Sequence, residues 1–257
     1  MLTLFDDVFS PYARKVRIAL YEKDIPFERV RALHGDCNRT DFLDVNPRAE
    51  VPALVDGDFP LYDSTVICEY LEDRHPEPRL YPAGARLRAK CRLIEDLADT
   101  QLDAALYAVA VVELGRQERH PAMHDAAARD MTRLYDELER LLGDADFFCG
   151  TYSIADVAVV PHVAAATFLG LGLDPERHSR LLAWQARVQE RPAVMRDDAD
   201  VFETLTRLQS EQRPAFDPYR VQWRSDRLEW VVKNGFAPWL MEEMEAGRAF
   251  FPLAVTP

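Results

Sequence analysis

NPRAEVPALVDGDFPLYDSTVICEYLED, residues 46–73, is the stretch on which the fold turns. Val51-Pro52-Ala53-Leu54-Val55 reads as a short buried strand opened by proline, which cannot donate to a sheet ladder and is tolerated only at a strand start, an edge or a bulge. Val51-Pro52 is a candidate cis bond. In that form the N–H and C=O of Val51 turn outward and can pair with an extended ligand, much as an added strand would. Asp56-Gly57 is a hairpin turn between two apolar runs. The second run, Phe59-Pro60-Leu61-Tyr62, is an edge strand, because Pro60 would spoil a central one. Ser64 reads as the N-cap of a helix in which Val66, Ile67, Tyr70 and Leu71 recur at helical spacing. Free backbone N–H groups at such a helix start bind carboxylates. Taken alone, Asp63 and Ser64 are explained by capping.

Working outward toward the N-terminus, Leu2-Thr3-Leu4-Phe5 is a first strand. Ser10-Pro11 is a well-formed helix start, with a hydroxyl at the N-cap and proline at the first helical position. The helix over residues 11–23 turns Val16, Ile18, Ala19 and Leu20 inward and leaves Arg14, Lys15, Arg17 and Lys23 wet. Phe27-Glu28-Arg29-Val30 is a second strand, and residues 40–45 a short, poor helix. The first 80 residues thus read β-α-β-α-β-β-α, with strands joined through helices expected to be parallel. Past a proline-rich linker the strand signals stop. Long helices are expected over 86–118, 122–142 and 153–170, the last apolar nearly throughout and therefore central, with two more over 175–189 and 193–208. The expected fold class is an α/β domain over residues 1–80 followed by an all-α domain over 86–208. A tail over 209–257 carries three of the four tryptophans, Trp223, Trp230 and Trp239. Residues so apolar are expected to pack against the body or a second subunit.

Composition excludes several classes. Lys+Arg total 31 against Asp+Glu 44, a net charge of −13 with no basic run. Such a chain repels nucleic-acid phosphates and anionic membranes, so neither is expected as a partner. No apolar run approaches the ~20 residues of a membrane span. The four cysteines, Cys37, Cys68, Cys91 and Cys149, are scattered, without zinc-ligand spacing. They suit free thiols in a reducing cytoplasm, and no metal is expected. Cys37, in a polar loop, is the one thiol worth testing.

Three segments together resemble the cytosolic glutathione transferases, serine type, close to the bacterial and plant tau groups. They are SPYARKVRIALYEKDIPFE, the opening stretch, and FFCGTYSIADVAVVP. The resemblance covers residues 2 to about 208 and leaves the tail outside. It implies a thioredoxin-like N-terminal domain, an all-helical C-terminal domain, glutathione as co-substrate and a two-fold homodimer. Carried over residue by residue, it assigns Ser10 as the hydroxyl that donates to the glutathione sulfur. It assigns Val51, before Pro52, to the cysteinyl backbone, and Asp63 with Ser64 to the γ-glutamyl end. Asp63 stands where the family more often has Glu. The basic contact to the glycyl carboxylate falls on Arg39 or His34.

The chemistry these residues offer is stabilisation of a thiolate. A thiol of pKa ~8.5 is mostly protonated at neutral pH, and the thiolate is the nucleophile. A hydroxyl donor at a helix N-terminus favours the anion and orients it. Ser10 is then neither base nor covalent nucleophile. Tyr12, in the first turn, is the runner-up for that role and otherwise lines the site. The electrophile is expected between the domains against the long helix, near Leu106 and Tyr107. Ser153 and Asp156 form a capping box that serves folding. Asp197-Asp198 reads as solvated surface, and the six histidines form no site. The functional expectation is transfer of glutathione to a small hydrophobic electrophile. Two alternatives stand beside it. One is β-ether cleavage, dehalogenation or isomerisation on the same scaffold, since STVICEYLED is similar to the matching helix of bacterial β-etherases. The other is a non-catalytic partner of RNA polymerase, since MLTLF, VRIALYEK and YLEDRHPEP resemble stringent starvation protein A, which lacks the serine.

Overall fold

The computed structural model describes residues 1–32, 39–115, 118–213 and 221–250. Strands β1 (Leu2–Asp6), β2 (Phe27–Arg31), β3 (Ala53–Asp56) and β4 (Phe59–Tyr62) form one sheet in the order β2-β1-β3-β4. Helix α1 (Pro11–Glu22) links β1 to β2, α2 (Arg39–Val45) precedes β3, and α3 (Ser64–Arg74) follows β4. β1 and β2 are parallel, Leu2 opposite Phe27. β3 enters beside β1 in the opposite direction, Phe5 opposite Ala53. The expectation that helix-linked strands are parallel therefore holds for β1 and β2 and fails for β3. The connection over residues 32–52 is long enough for either direction, so its length does not decide the matter; β3 is set by its antiparallel pairing with both β1 and β4. β4 is the edge strand, with Pro60 opposite Val55, so no interior donor is lost.

The second half is helical. Helix α4 (Ala85–Asp96) runs on through a π-helical turn over Leu97–Leu102 into α5 (Asp103–Ala110) and a second π-helical turn over Val111–Gly115. The single long helix expected here is thus interrupted twice by wide turns, which change the facing of the residues beyond them. Helix α6 (Pro121–Leu142) and the central α7 (Ile154–Phe168) follow, then α8 (Ser179–Gln189) and α9 (Pro192–Ser210). α7 opens on the expected capping box of Ser153 and Asp156. Asp156 also accepts from Phe148 N–H at 3.1 Å and Trp184 Nε1 at 2.7 Å, which makes one buried carboxylate the organiser of this corner. The tail adds β5 (Val221–Gln222), α10 (Ser225–Lys233), α11 (Ala237–Glu245) and β6 (Ala249–Phe250). Gly235 ends α10 at φ 85°. Trp223 and Trp230 are buried, Trp239 packs against the same core, and α10 lies on α5.

α1 corrects the sequence reading most. Packed by α3, α7 and α9, it buries Arg14, Lys15 and Arg17, and Lys23 at its C-cap, as well as its apolar face. None of the four is wet. Arg17 bonds Asp6 at 2.9 Å and Asp197 at 2.7 Å; Arg14 bonds Asp197 at 2.6 Å and also pairs with Asp198. Lys15 bonds Glu95 at 2.9 Å and Asp99 at 2.5 Å, and Lys23 bonds Glu72 at 2.8 Å. Asp197, expected on the surface, is fully buried. A charge survives burial only when paired and hydrogen-bonded. Each cation here finds its carboxylate on a segment far away in the chain, which helical periodicity cannot reveal.

Candidate functional site

A cavity of about 510 Å³ opens between the sheet-bearing half and the helical half. Ser10, Tyr12, Val51, Pro52, Asp63 and Ser64 line it from the first half, and Leu106 and Tyr107 from the second. Those eight expected residues therefore share one cavity. His34 and Cys37 lie outside the described residues, as does the side chain of Arg39, whose backbone begins α2.

Ser10 caps α1. Its Oγ accepts from Ala13 N–H at 3.3 Å, and its own N–H donates to Asp7 O at 3.2 Å. The bond from Ala13 uses an oxygen lone pair, so the hydroxyl proton remains available for donation. Arg17 fixes the loop before it, donating to Asp7 O at 3.1 Å and Val8 O at 3.0 Å. The Val51-Pro52 bond is cis. The ladder starts only at Ala53, and the backbone groups of Val51 bond no other described residue.

At α3 the cap is Asp63, not Ser64 as expected. Asp63 Oδ1 accepts from Thr65 N–H at 3.0 Å and Val66 N–H at 3.3 Å, and Ser64 is the first helical residue, buried. A carboxylate is the stronger cap because it also meets the positive end of the helix. Asp63 holds φ 77°, ψ 122°, an uncommon and strained conformation for a side-chain-bearing residue.

Tyr12 is committed elsewhere. It is buried, and its hydroxyl donates to Asp99 O at 2.6 Å in the π-helical turn. Burial, with Asp103 nearby, pushes its phenol well above the usual range. Its ring meets the edge of His162, centroids 5.9 Å apart. His162 is buried in α7 with Nε2 3.1 Å from Ala98 O and Nδ1 without a partner among the described residues. Burial pulls it down to about 4, so it is neutral at physiological pH. Beneath them Lys15 Nζ also reaches Thr65 Oγ1 at 3.2 Å, tying α1 to α3 and to the helical half. Burial works against the Lys15 charge, but Asp99 and Glu95 outweigh it. Asp99 is pushed up to about 6 by burial, against the pull of Lys15. Cys68, Cys91 and Cys149 are buried free thiols that do not line the cavity.

The glutathione S-transferase N-terminal domain model matches residues 4–79 and the C-terminal domain model residues 117–187. Glutathione S-transferase Z2 of Arabidopsis thaliana is 30% identical over 211 residues, covering 74% of this chain and 92% of that protein. The chain belongs to the glutathione S-transferase family. A stringent starvation protein A homolog of Coxiella burnetii is 26% identical over 192 residues, covering 74% of this chain and 88% of that protein. Among solved structures, a glutathione S-transferase from Rhodospirillum rubrum superposes with a TM-score of 0.67 at 28% identity, over 76% of this chain and 90% of that one.

Both glutathione S-transferase matches end before α9 and the tail, and the tail adds what sequence reasoning missed. Arg227, from α10, donates to Asp103 at 2.6 and 3.1 Å and lies 3.4 Å from the Tyr107 ring centroid. Trp223 meets the same ring edge-on at 5.4 Å. Between them Arg224 stands 5.1 Å over the Tyr12 ring, and both arginines line the cavity. Phe168 from α7 and Phe202 from α9 extend the apolar wall and remain more than half exposed. The only sequence signal for the arginines is W-R-x-x-R (223–227), a cationic pair beside a tryptophan in an acidic chain. For His162 it is a lone imidazole in an otherwise apolar helix. Among the described residues no cluster of three or more His, Cys, Asp or Glu could hold a metal, and no helix is long and apolar enough to cross a membrane.

Proposed function

We propose that this member of the family binds glutathione and activates its thiolate for attack on a small electrophile, as a glutathione transferase. Val51 pairs with the cysteinyl backbone, Asp63 and Ser64 hold the γ-glutamyl ammonium and carboxylate, and Arg39 or His34 remains the proposed contact to the glycyl carboxylate. Leu106 and Tyr107 line the electrophile's side, with Tyr12 between. The observation that carries this reading is the Ser10 hydroxyl. It faces the same cavity as Val51 and Asp63-Ser64, and its oxygen is held by Ala13 N–H while its proton is left to donate. The donor and the helix N-terminus stabilise a sulfur anion and cost no reorganisation. The working unit is proposed to be a cytoplasmic homodimer, with residues 1–80 as the glutathione-binding domain, 86–208 as the helical domain and 209–257 as an added wall.

The test is Ser10→Ala. A hydrogen bond to a charged group contributes about 1.5–3 kcal/mol, or roughly one to two pKa units. The variant's pH–rate profile for chlorodinitrobenzene conjugation is expected to shift upward by that amount, with kcat/KM at neutral pH falling about tenfold to a hundredfold. An unchanged profile removes the role given to Ser10. β-Ether cleavage, dehalogenation and isomerisation use the same thiolate and are separated by a substrate panel. The likeness to the Coxiella burnetii homolog supports a second reading, a non-catalytic protein of the stringent starvation protein A kind. Calorimetry separates it: no glutathione binding at millimolar concentration leaves that reading alone.

A further inference from the structure

The charges that line the cavity do not all cancel. Arg14 is matched by Asp197 and Asp198, and Arg227 by both oxygens of Asp103. Asp99 is matched by Lys15, and Asp63 caps α3 through Oδ1 and is already assigned to the γ-glutamyl ammonium. Arg224 is different. Its side chain is three-quarters buried, yet its guanidinium makes no hydrogen bond to any described residue. The nearest carboxylate oxygen in an ion pair is Asp226 Oδ2, at 4.0 Å from Nε and itself partly exposed. Glu50 also lines the cavity and acts on Arg224 through its charge; its Oε2 pairs with Arg48 at 3.1 Å, its Oε1 has no hydrogen-bond partner among the described residues, and no ion pair joins Glu50 to Arg224. A guanidinium carries five donors in a planar fork suited to a carboxylate, and withdrawing it from water without partners is costly.

The side chain is nonetheless held in place. On one side Trp223 is buried against Tyr107 and Trp239. On the other, one turn along, Arg227 is locked to Asp103. The aromatic face of Tyr12 lies beneath it, and the Tyr12 hydroxyl is fastened to Asp99 O. Stacking on an aromatic face and fixed flanking anchors leave the fork little freedom to lose when it binds. The helical wall also offers the apolar groups Leu106, Phe168 and Phe202 to the body of a ligand.

We propose that Arg224 binds an anionic group on the second substrate, so that the site takes small electrophiles whose apolar body carries a carboxylate or a chemically similar anion. The inference rests on the transferase reading and narrows its substrate class from hydrophobic to acidic-hydrophobic. It also gives the tail a function, since the tail brings this cation to the cavity.

The experiment compares the full-length chain with Arg224→Gln and Arg224→Lys on a matched pair of electrophiles, chlorodinitrobenzene and chlorodinitrobenzoate. The readout is the ratio of their kcat/KM values at fixed glutathione. In Arg224→Gln the benzoate-over-benzene ratio is expected to fall about tenfold or more, the scale of a charge-assisted hydrogen bond; Arg224→Lys recovers part of it. A ratio that does not move overturns the proposal while leaving the transferase reading intact. Calorimetry with unreactive dinitrobenzoate reads the same contact without turnover: Kd is expected to weaken by a similar factor in Arg224→Gln, and equal Kd values overturn the proposal even if no conjugation occurs. A parallel titration with glutathione separates the other carboxylate source. If Arg224→Gln weakens glutathione and dinitrobenzoate binding by one common factor, or glutathione alone, Arg224 serves glutathione and the proposal is wrong.

Discussion

Replacing Asp197 by Asn tests whether the buried charges on α1 hold the two halves of the molecule together. Both carboxylate oxygens are in use: Oδ1 accepts from Arg17 Nε at 2.7 Å and Oδ2 from Arg14 Nε at 2.6 Å, with no solvent exposure. An amide of the same shape presents an NH2 to one of those donors, and the charge is lost. Arg17 then keeps Asp6 alone, and Arg14 keeps Asp198. Removing one partner of a buried ion pair costs about 3–5 kcal/mol, because the remaining charge stays in the interior. For a chain of this size each kcal/mol moves Tm by roughly 2–4 °C, so scanning calorimetry should find Tm lower by about 6–20 °C. Arg17→Met in a double-mutant cycle should show a coupling energy of at least about 1 kcal/mol with Asp197→Asn. A Tm within about 2 °C of the parent, or additive single effects, would refute the reasoning. The functional consequence follows from Arg17 holding the carbonyls of Asp7 and Val8. Loosening it frees the loop that presents Ser10, and kcat/KM for conjugation should fall with stability.

Three further perturbations separate roles within the cavity. Arg227→Met leaves Asp103 buried without its cation, at a cost of about 3–5 kcal/mol; the tail should become protease-sensitive and the emission of Trp223, Trp230 and Trp239 shift to the red, and an unaltered digest would show that the pair does not anchor it. Tyr12→Phe removes a hydroxyl spent on Asp99 O, so it should cost roughly 1 kcal/mol of stability and shift the thiol pH profile less than Ser10→Ala; the reverse order would make Tyr12 the thiolate's partner. His162 has a folded pKa of about 4, below its unfolded value, so its contribution is fully present above pH 6.5 and is lost as pH falls toward 4. Between pH 7 and pH 5 the parent should lose about 2 kcal/mol relative to His162→Gln. A constant Tm difference across that range would show that His162 is not held neutral.

Much of the fold was legible because its signals are local. Proline at 52 and 60, Asp56-Gly57, Ser10-Pro11 and Ser153-x-x-Asp156 each constrain their own few residues, and each stands where expected. The cavity side chains of the first half were legible for the same reason, since they sit at a helix start, before a proline and at a helix cap. What failed was long-range. Nothing within residues 11–23 tells that Arg14 and Arg17 meet Asp197, 183 and 180 residues on. Helical periodicity assigns such residues to water, and pairing overrides it. The direction of β3 failed for a related reason, because it is set by pairing with β1, far earlier in the chain, and not by the strand's own residues. Arg224 and Arg227 lay in a segment with no pattern to compare, and only their packing against Tyr12 and Tyr107 gives them meaning.

The buried pairs also explain how an acidic chain keeps one helix rich in cations. Three basic residues of α1 and Lys23 at its C-cap face carboxylates, and Asp197, Asp198, Glu95 and Asp99 come from the helical half. Apolar replacements could hold the halves together as firmly, since a buried ion pair need not outdo a hydrophobic contact. They could not fix the rotation of α1 as closely, because hydrogen-bonded charges tolerate few geometries and apolar surfaces many. Rotation matters here because α1 carries Ser10 at its start and Tyr12 in its first turn, on the cavity's floor. Pairs of this kind carry a salt signature. Buried pairs are screened far less than exposed ones, so Tm at about 1 M sodium chloride should differ from Tm at low salt by less than the shift caused by Asp197→Asn. A larger fall with salt would mean that water reaches these pairs and that α1 is held mainly by its apolar face.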